Sequence, residues 1–428
     1  MFFKLKIFLY LIKIKIEKII ILITNGKYLK FKMYIYLISL KKSKFYNPFL
    51  KNKREFLTLP IINKSIFMKN FNEINTCKIS LKEASELAKN SEKNRDFSPM
   101  IKNIAVGLSS GTSGNQGIFL VNENERAKWV AYMLDRVIKL SFRKRRIAFF
   151  LRSNNELYEA SNSNFLQFNF FDIYIPIKNH IKRLNQLKPD ILIAQPSVLK
   201  IICKYLDSKN LNIKPKRIIS IAEVLTNEDK IFFEKKFKIN IEEVYQCTEG
   251  FLASTCKEGT LHFNEDFLII EKKYINDEKT RFHPIITDLV RQSQPIVRYE
   301  LNDVITENKK CKCGSKFLAI KSIDGRSDDI IKLVSNKNKK ISIFPDIIRN
   351  TIILSDDRIN DYEIIQINKN TLKLFIQSDF KQSYFNAKNA LIKTFAKYNV
   401  HDINFIFKNK AKHIHGNKKR RVKNEYKK

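Results

Sequence analysis

Ser109-Ser110-Gly111-Thr112-Ser113-Gly114-Asn115-Gln116-Gly117 gathers three of the ten glycines of this 428-residue chain and four hydroxyl side chains into nine positions. It follows directly on the apolar run Ile104-Ala105-Val106-Gly107-Leu108. Glycine enters φ > 0 at little cost, so such a loop can turn successive backbone N–H groups toward one point. Converging N–H groups and hydroxyls form a nest for an oxyanion, most often a phosphate. The spacing is neither that of the P-loop nor that of the dinucleotide fingerprint. Read alone, a Ser/Gly cluster is also an ordinary surface turn. Its surroundings decide between the two.

A chain of this length holds two or three domains. Its 44% apolar and 29% charged residues describe a globular protein. From about 60 to 325, short apolar runs alternate with helical patterns. Strands are expected at 146–151, 190–194, 217–222 and 242–245, and helices at 81–91, 123–141, 181–186, 196–206 and 227–237. That interleaving predicts an α/β domain with a mainly parallel sheet. After Arg326 the pattern becomes a hairpin (362–367 and 372–377), a helix (381–398) and a strand (403–407), a small α+β domain. It ends in a tail, 408–428, with ten Lys/Arg opposed only by Glu425.

The formal charge of +37 invites a nucleic-acid reading. The lysines, however, are scattered singly among Ile, Asn and Phe, and no nucleic-acid module is recognisable, so no nucleic-acid partner is expected. Residues 1–55 mix apolar side chains with Lys and almost no acid. Two readings stand for them: an amphipathic helical hairpin packed on the body, or a basic face lying on an anionic membrane. No uncharged stretch approaches the ~18 residues needed to span a bilayer, and no signal peptide is evident. Six cysteines, Cys77, Cys203, Cys247, Cys256, Cys311 and Cys313, are too few for a disulfide scaffold of this size. A cytoplasmic location is the expectation.

Further motifs follow in order. Ser220-Ile221-Ala222-Glu223 ends an expected strand, Tyr245-Gln246-Cys247-Thr248-Glu249-Gly250 closes an apolar run, and Pro295-Ile296-Val297-Arg298-Tyr299 leads to Asp303. Gly325-Arg326-Ser327-Asp328-Asp329 and Asn417-Lys418-Lys419-Arg420-Arg421-Val422 come last. With the glycine loop, this series resembles the adenylate-forming enzymes, which activate carboxylates with ATP. The resemblance covers roughly residues 45–428. It implies an α/β fold, a large adenylate-forming domain (56–325) with mainly parallel sheets, and a small α+β C-terminal lid (326–428).

The resemblance assigns roles. Ser109, Ser110, Gly111, Thr112, Ser113 and Gly114 would cradle phosphates, the Tyr245 ring would stack on adenine, and the backbone of Ala222 and Glu223 would lie beside it. The Thr248 hydroxyl would hold the α-phosphate and Glu249 would ligate Mg²⁺. Asp303 would take both ribose hydroxyls, Arg326 would lie near ribose and phosphates, Asp328 would be the pivot of the lid, and Lys418 would neutralise charge during adenylation. The chain departs from the pattern at Gln116, where a basic residue is usual.

Cys256 and His262 lie six apart, and Cys311-Lys312-Cys313-Gly314 supplies a close pair. Three thiolates and an imidazole suit a closed tetrahedral Zn²⁺ site, although four unrelated residues would give the same spacing. Phenylacetate–CoA ligases and their capsule-biosynthesis relatives carry a similar cluster. Segments 70–76, 149–155, 250–256, 260–266 and 343–346 resemble more closely a bacterial branch related to the synthetase that adenylylates the methanogen deazaflavin coenzyme. The expected reaction is ATP-dependent activation of an aryl or other organic acid, followed by transfer to CoA or another acceptor. Phe165, Phe168, Phe170 and Phe171 are candidates for an aromatic wall, with a Phe-rich core as the alternative. Two rivals remain: AMP transfer to a hydroxyl of a coenzyme, or a non-enzymatic basic membrane- or RNA-associated protein.

Overall fold

The structure, a computed structural model, describes residues 2–50, 55–108, 117–139, 143–151, 166–408 and 420–426. The glycine loop through Gln116, Phe165 and Lys418 lie outside the described residues. The chain divides into two compact units. The first comprises Met1–Lys273, Pro284–Leu301 and Glu307–Lys321; the second comprises Tyr274–His283, Asn302–Thr306 and Ser322–Lys428.

The first unit opens with helices α1 (Phe2–Ile23) and α2 (Lys27–Ser39), followed by α3 (Lys64–Lys69), α4 (Phe71–Ile74) and α5 (Leu81–Asn94). Ser80 and Glu83 form a capping box that starts α5, each side chain bonding the other residue's backbone N–H. An antiparallel sheet of β1 (Met100–Ile101), β2 (Ile104–Leu108) and β3 (Ile118–Val121) brackets the glycine-rich segment. Gly107 of β2 is required by its neighbour, because a Cβ there would meet the Phe119 ring at 2.1 Å.

Helix α6 (Glu123–Met133) starts at a second capping box, Asn122 with Glu125. It gives way to a π-helical turn, Leu134–Ile138, and ends at Lys139 with φ 56°. The last helical turn therefore ends three residues before the expected 141. Arg217 donates to the carbonyls of Val137 and Ile138 (2.6 and 2.8 Å), and Arg145 also reaches Ile138, so the last carbonyls are satisfied from outside the helix.

Five parallel strands follow: β4 (Arg145–Leu151), β5 (Leu166–Asp172), β6 (Ile191–Ala194), β7 (Arg217–Ser220) and β8 (Ile241–Cys247), in the order β5-β4-β6-β7-β8. All four side chains of β6 are buried, as a strand covered on both faces demands. The connecting helices are α7 (Ile177–Leu187), α8 (Pro196–Asp207) and α9 (Asn227–Phe237), with Pro196 opening α8 and Thr226 capping α9. Phe150, Phe171, Leu184, Leu192, Leu199, Ile202, Ile218 and Phe233 form the core between sheet and helices. Beyond β8 the sheet turns antiparallel through β9 (Gly250–Thr255) and β10 (Leu261–Phe263).

Further strands are β11 (Leu268–Tyr274), β12 (Arg281–Asp288), β13 (Tyr299–Glu300), β14 (Asp303–Asn308) and β15 (Ala319–Arg326). The second unit adds a ribbon of β16 (Ile331–Val334) and β17 (Lys340–Ile343), helix α10 (Pro345–Ile353), the hairpin β18 (Asp361–Asn368) and β19 (Thr371–Gln377), helix α11 (Gln382–Ala396), and strands β20 (Asn404–Phe407) and β21 (Val422–Asn424). The order β20-β19-β18-β21 gives this unit a four-stranded sheet. Its core is Ile348, Ile352, Ile364, Leu372, Leu391 and Phe395.

Gly325 has φ +127°, and a Cβ there would lie 3.1 Å from Pro345 at the start of α10. Backbone strain and contact act together at this position. Gly325→Ala should cost ~1–3 kcal/mol, seen as a lowered thermal midpoint. An unchanged midpoint would contradict this reading of the turn.

Candidate active site

Strand β8 ends in a hairpin whose two-residue turn is Thr248-Glu249, with Cys247 paired to Gly250. The turn is held from three sides. The Thr248 hydroxyl donates to Glu249 Oε2 (2.8 Å), and the Tyr299 hydroxyl donates to Glu249 Oε1 (3.0 Å). Arg291 donates to the Thr248 carbonyl (3.3 Å). Burial, then the Glu249 charge, holds the Tyr299 phenol far above its ordinary range, so it stays a donor. Tyr299 is itself fixed, since Ile62 bonds the carbonyl before it and the N–H after it (3.0 and 2.7 Å). Its neighbour Arg298, at φ 45°, grips Glu271 with two bonds (2.9 and 2.7 Å).

A small, half-open cleft lies beside this turn. Its polar lining includes Lys64, Thr248, Glu249, Gln294 and Tyr299; Phe67, Met68, Ile118, Phe119 and Ile296 are apolar, and Gly117 completes the wall. An apolar wall with a few convergent polar groups is the ordinary form of a small-molecule site. These apolar residues were not visible as a wall in the sequence, because they come from segments far apart in the chain.

Of the two readings of the Phe-rich segment, β5 fits the core one. Phe171 is core, stacked on Phe150 with centroids 4.9 Å apart, and Phe168 packs edge-on against Phe149 at 5.0 Å. Strand β5 lies at the edge of the parallel sheet, four places from β8. Residue 165 is outside the described residues.

After β7 the chain makes a γ-turn of the rarer hand. Glu223 N–H donates to the Ile221 carbonyl (2.7 Å) around Ala222, whose φ is 64°. The Glu223 carboxylate accepts from the N–H and hydroxyl of Ser197 (3.1 and 2.9 Å) in the first turn of α8. Negative charge is favourable at that helix end, and the contact fixes the strained turn. The Tyr245 ring is buried on β8 and meets Phe263 edge-on at 6.3 Å.

In the second unit, Asp303, Arg326 and Asp328 come together. Arg326 Nε is 3.8 Å from Asp303 Oδ1, and Asn302 donates to Asp328 Oδ2 (2.9 Å). The Asp303 carbonyl bonds His283 Nδ1 (2.8 Å). Arg420 Nε pairs with Asp329 Oδ1 at 2.8 Å, Arg421 with Asp361 at 3.0 Å, and Val422 sits opposite Ile364. The residues that follow Lys418 in its motif are thus anchored to this unit.

Cys256, His262, Cys311 and Cys313 also converge. Their ligand atoms lie within 4.8 Å of one another. Cys256 and Cys311 sulfurs are 3.8 Å apart, and Cys313 Sγ is 3.4 Å from His262 Nε2. Tetrahedral zinc with Zn–S of about 2.3 Å requires sulfurs ~3.8 Å apart. His262 Nδ1 bonds the Phe317 carbonyl (2.9 Å), so Nδ1 is the donor there and Nε2 is the nitrogen that faces Cys313 Sγ. Positive φ at Gly259 and Gly314 allows both tight turns.

No family model matches the chain. It is 25% identical to protein CapK of Staphylococcus aureus over 356 residues, 75% of each chain. It is 26% identical to indoleacetate–lysine synthetase of Pseudomonas savastanoi over 146 residues, 32% of this chain and 35% of that one. Among solved structures, 2-hydroxyisobutyryl-CoA ligase in complex with its 2-HIB-AMP adduct matches with TM-score 0.67 at 14% identity. That match covers 92% of this chain and 88% of the ligase. The chain therefore has the adenylate-forming ligase fold, a mixed α/β architecture with a C-terminal domain.

Asp288 lies beside Gly250, wholly buried. Burial raises its carboxyl to about 6, against the pull of Arg291 and the Val290 N–H. The unfolded value is about 3.9. The folded state therefore holds the proton more tightly, and stability falls as pH rises from about 4 to about 6. Asp288→Asn lacks this titration. Between about pH 4 and 7 the wild type should lose ~2 kcal/mol relative to the variant. Parallel thermal-midpoint curves for the two proteins would contradict the assignment.

Proposed function

We propose that this protein is an ATP-dependent, AMP-forming ligase that activates an organic carboxylic acid as its acyl-adenylate. One observation carries the reading. Gly117 at the end of the glycine-rich segment, the Thr248-Glu249 turn and Tyr299 line one cavity with Phe67, Met68, Phe119 and Ile296. An apolar acid in that cavity would present its carboxylate to the groups assigned to the α-phosphate.

A carboxylate oxygen attacks the α-phosphorus of ATP, the bond from that phosphorus to the bridging oxygen of the β-phosphate breaks, and pyrophosphate leaves. The acceptor then attacks the acyl carbonyl and AMP departs. In this reading Ser109 to Gly114 cradle phosphates, and Thr248 holds the α-phosphate with its hydroxyl. Tyr245 and the Ala222-Glu223 backbone border the adenine, and Asp303 takes the ribose. Arg326 and Lys418 oppose the charge that develops on the phosphoryl oxygens. Residues 326–428 act as a lid that turns about Asp328. Glu249 would hold Mg²⁺, which supplies charge neutralisation between phosphates. Its two oxygens each accept a single bond, so lone pairs remain for a metal.

The relatives' names include both a CoA ligase and a lysine-joining synthetase. The decisive test reads the half-reaction before the acceptor enters. A panel of aryl and aliphatic acids should include at least one that drives Mg²⁺-dependent ATP–pyrophosphate exchange. Glu249→Gln should lower that exchange by ~10²-fold or more. Exchange supported by no acid, or untouched by Glu249→Gln, would overturn the proposal.

We also propose that Cys256, His262, Cys311 and Cys313 hold one structural zinc, supported by their separations and by the His262 tautomer. Purified protein should carry one zinc per chain, and Cys313→Ser should lose it together with several degrees of thermal stability. Full stability in metal-free protein would contradict a structural role.

A further inference from the structure

Helix α1 is apolar on two opposite faces. Ile7, Leu11 and Ile14 are buried on the inner one, which packs against α6. There Lys6 pairs with Glu123 (2.6 Å), Lys18 pairs with Asp135, and Arg126 lies over Phe3 at 5.6 Å. On the other face, Leu5, Leu9, Ile12, Ile16, Ile19 and Ile23 repeat at spacings of three and four, and every one is exposed. Leu22 and Ile23 at its end are 72% and 78% exposed. Helix α2 repeats the arrangement: Tyr36 and Leu37 are buried, while Phe31, Tyr34, Ile35 and Ile38 face outward. A packed helix needs one apolar stripe, and a second stripe left in water marks an interaction surface.

Charge identifies the partner. On α1, the exposed Lys4 and Lys15 project on one flank of the outer stripe and Lys13 on the other, as their helical spacing requires. Lys27, Lys30, Lys41, Lys42 and Lys44 are also exposed. Residues 2–50 contain eleven lysines and one acid, Glu17. Glu17 is already engaged by Lys32 (2.8 Å) and Tyr28 (3.2 Å). A second copy of the chain would oppose lysine with lysine across a shared stripe. A bilayer rich in anionic lipid offers what this face lacks, an apolar layer beneath a negative headgroup plane. No helix among the described residues is long and apolar enough to cross a membrane, so the helices would lie along the surface.

We propose that the outward stripes of α1 and α2, with their flanking lysines, seat this protein on the headgroup layer of an anionic membrane. The inference goes beyond the ligase reading and does not depend on it. Full-length protein is sedimented with vesicles of phosphatidylglycerol mixed into phosphatidylcholine, and with phosphatidylcholine alone. The anionic vesicles should bind at least about tenfold more tightly, with the difference shrinking in high salt. Leu9→Glu/Ile16→Glu should lower binding at least about tenfold at an unchanged thermal midpoint, since both side chains face solvent. Lys15→Gln/Lys30→Gln/Lys41→Gln should weaken binding to anionic vesicles while leaving the weak binding to neutral ones as it was. Equal binding to both vesicle types, or binding untouched by Leu9→Glu/Ile16→Glu, overturns the proposal. So does a dimer in solution that the same double substitution dissolves without any vesicle binding.

Discussion

The hydrogen bond from the Tyr299 hydroxyl to the Glu249 carboxylate is the contact on which the arrangement of the site depends. A two-residue hairpin turn has no packing of its own to fix the direction of its side chains. Here Tyr299 fixes one carboxylate oxygen, Thr248 the other, and Arg291 holds the turn's backbone. Each of these bonds is worth only ~1–3 kcal/mol. Together they confine a charged group beside a largely apolar cavity, where a misplaced carboxylate would be costly. The Ile62 bonds that fix Tyr299 therefore act on Glu249 at one remove.

The same economy recurs at the end of β7. Ala222 adopts a backbone conformation unfavourable for any residue with a Cβ, and the Glu223 carboxylate sits on the first turn of α8 to hold it there. In the second unit, Arg326, Asp328 and Asp303 stand close together, with Asn302 and His283 fixing two of them. The strained Gly325 and the half-buried Arg420–Asp329 pair both lie in that unit. Within each unit, polar side chains are held by named partners, which is what a preorganised site requires.

Most of the alternating segments between residues 145 and 247 were legible because both local patterns are strong, but strand β5 was missed, since Leu166–Asp172 mixes Gln and Asn with its Phe residues. β6 is apolar throughout, and α9 has a Thr cap with Asp three residues on. The 361–377 hairpin was equally plain, and its two-residue turn is Lys369-Asn370. The antiparallel strands after β8 were not, because a sequence such as Leu268–Tyr274 carries charges on a half-exposed surface and shows no clean alternation. Helix α6 ended early for a reason no local pattern contains, namely that Arg217, eighty residues on, takes its last carbonyls. The motif residues Thr248, Glu249 and Asp303 could be read from order and chemistry. Arg291, Tyr299 as a donor, and the wall of Phe67, Met68 and Phe119 could not, since each acts across a separation that only folding closes.

In the proposed reaction a carboxylate oxygen of the substrate acid becomes bonded to the α-phosphorus of ATP. Labelling tests it most directly. An acid active in exchange, enriched with ¹⁸O in its carboxylate, is incubated with ATP, Mg²⁺ and an acceptor, and the nucleotide product is weighed by mass spectrometry. Adenylation of the acid should give AMP carrying one ¹⁸O per turnover. Unlabelled AMP, or ADP as the nucleotide product, would contradict it.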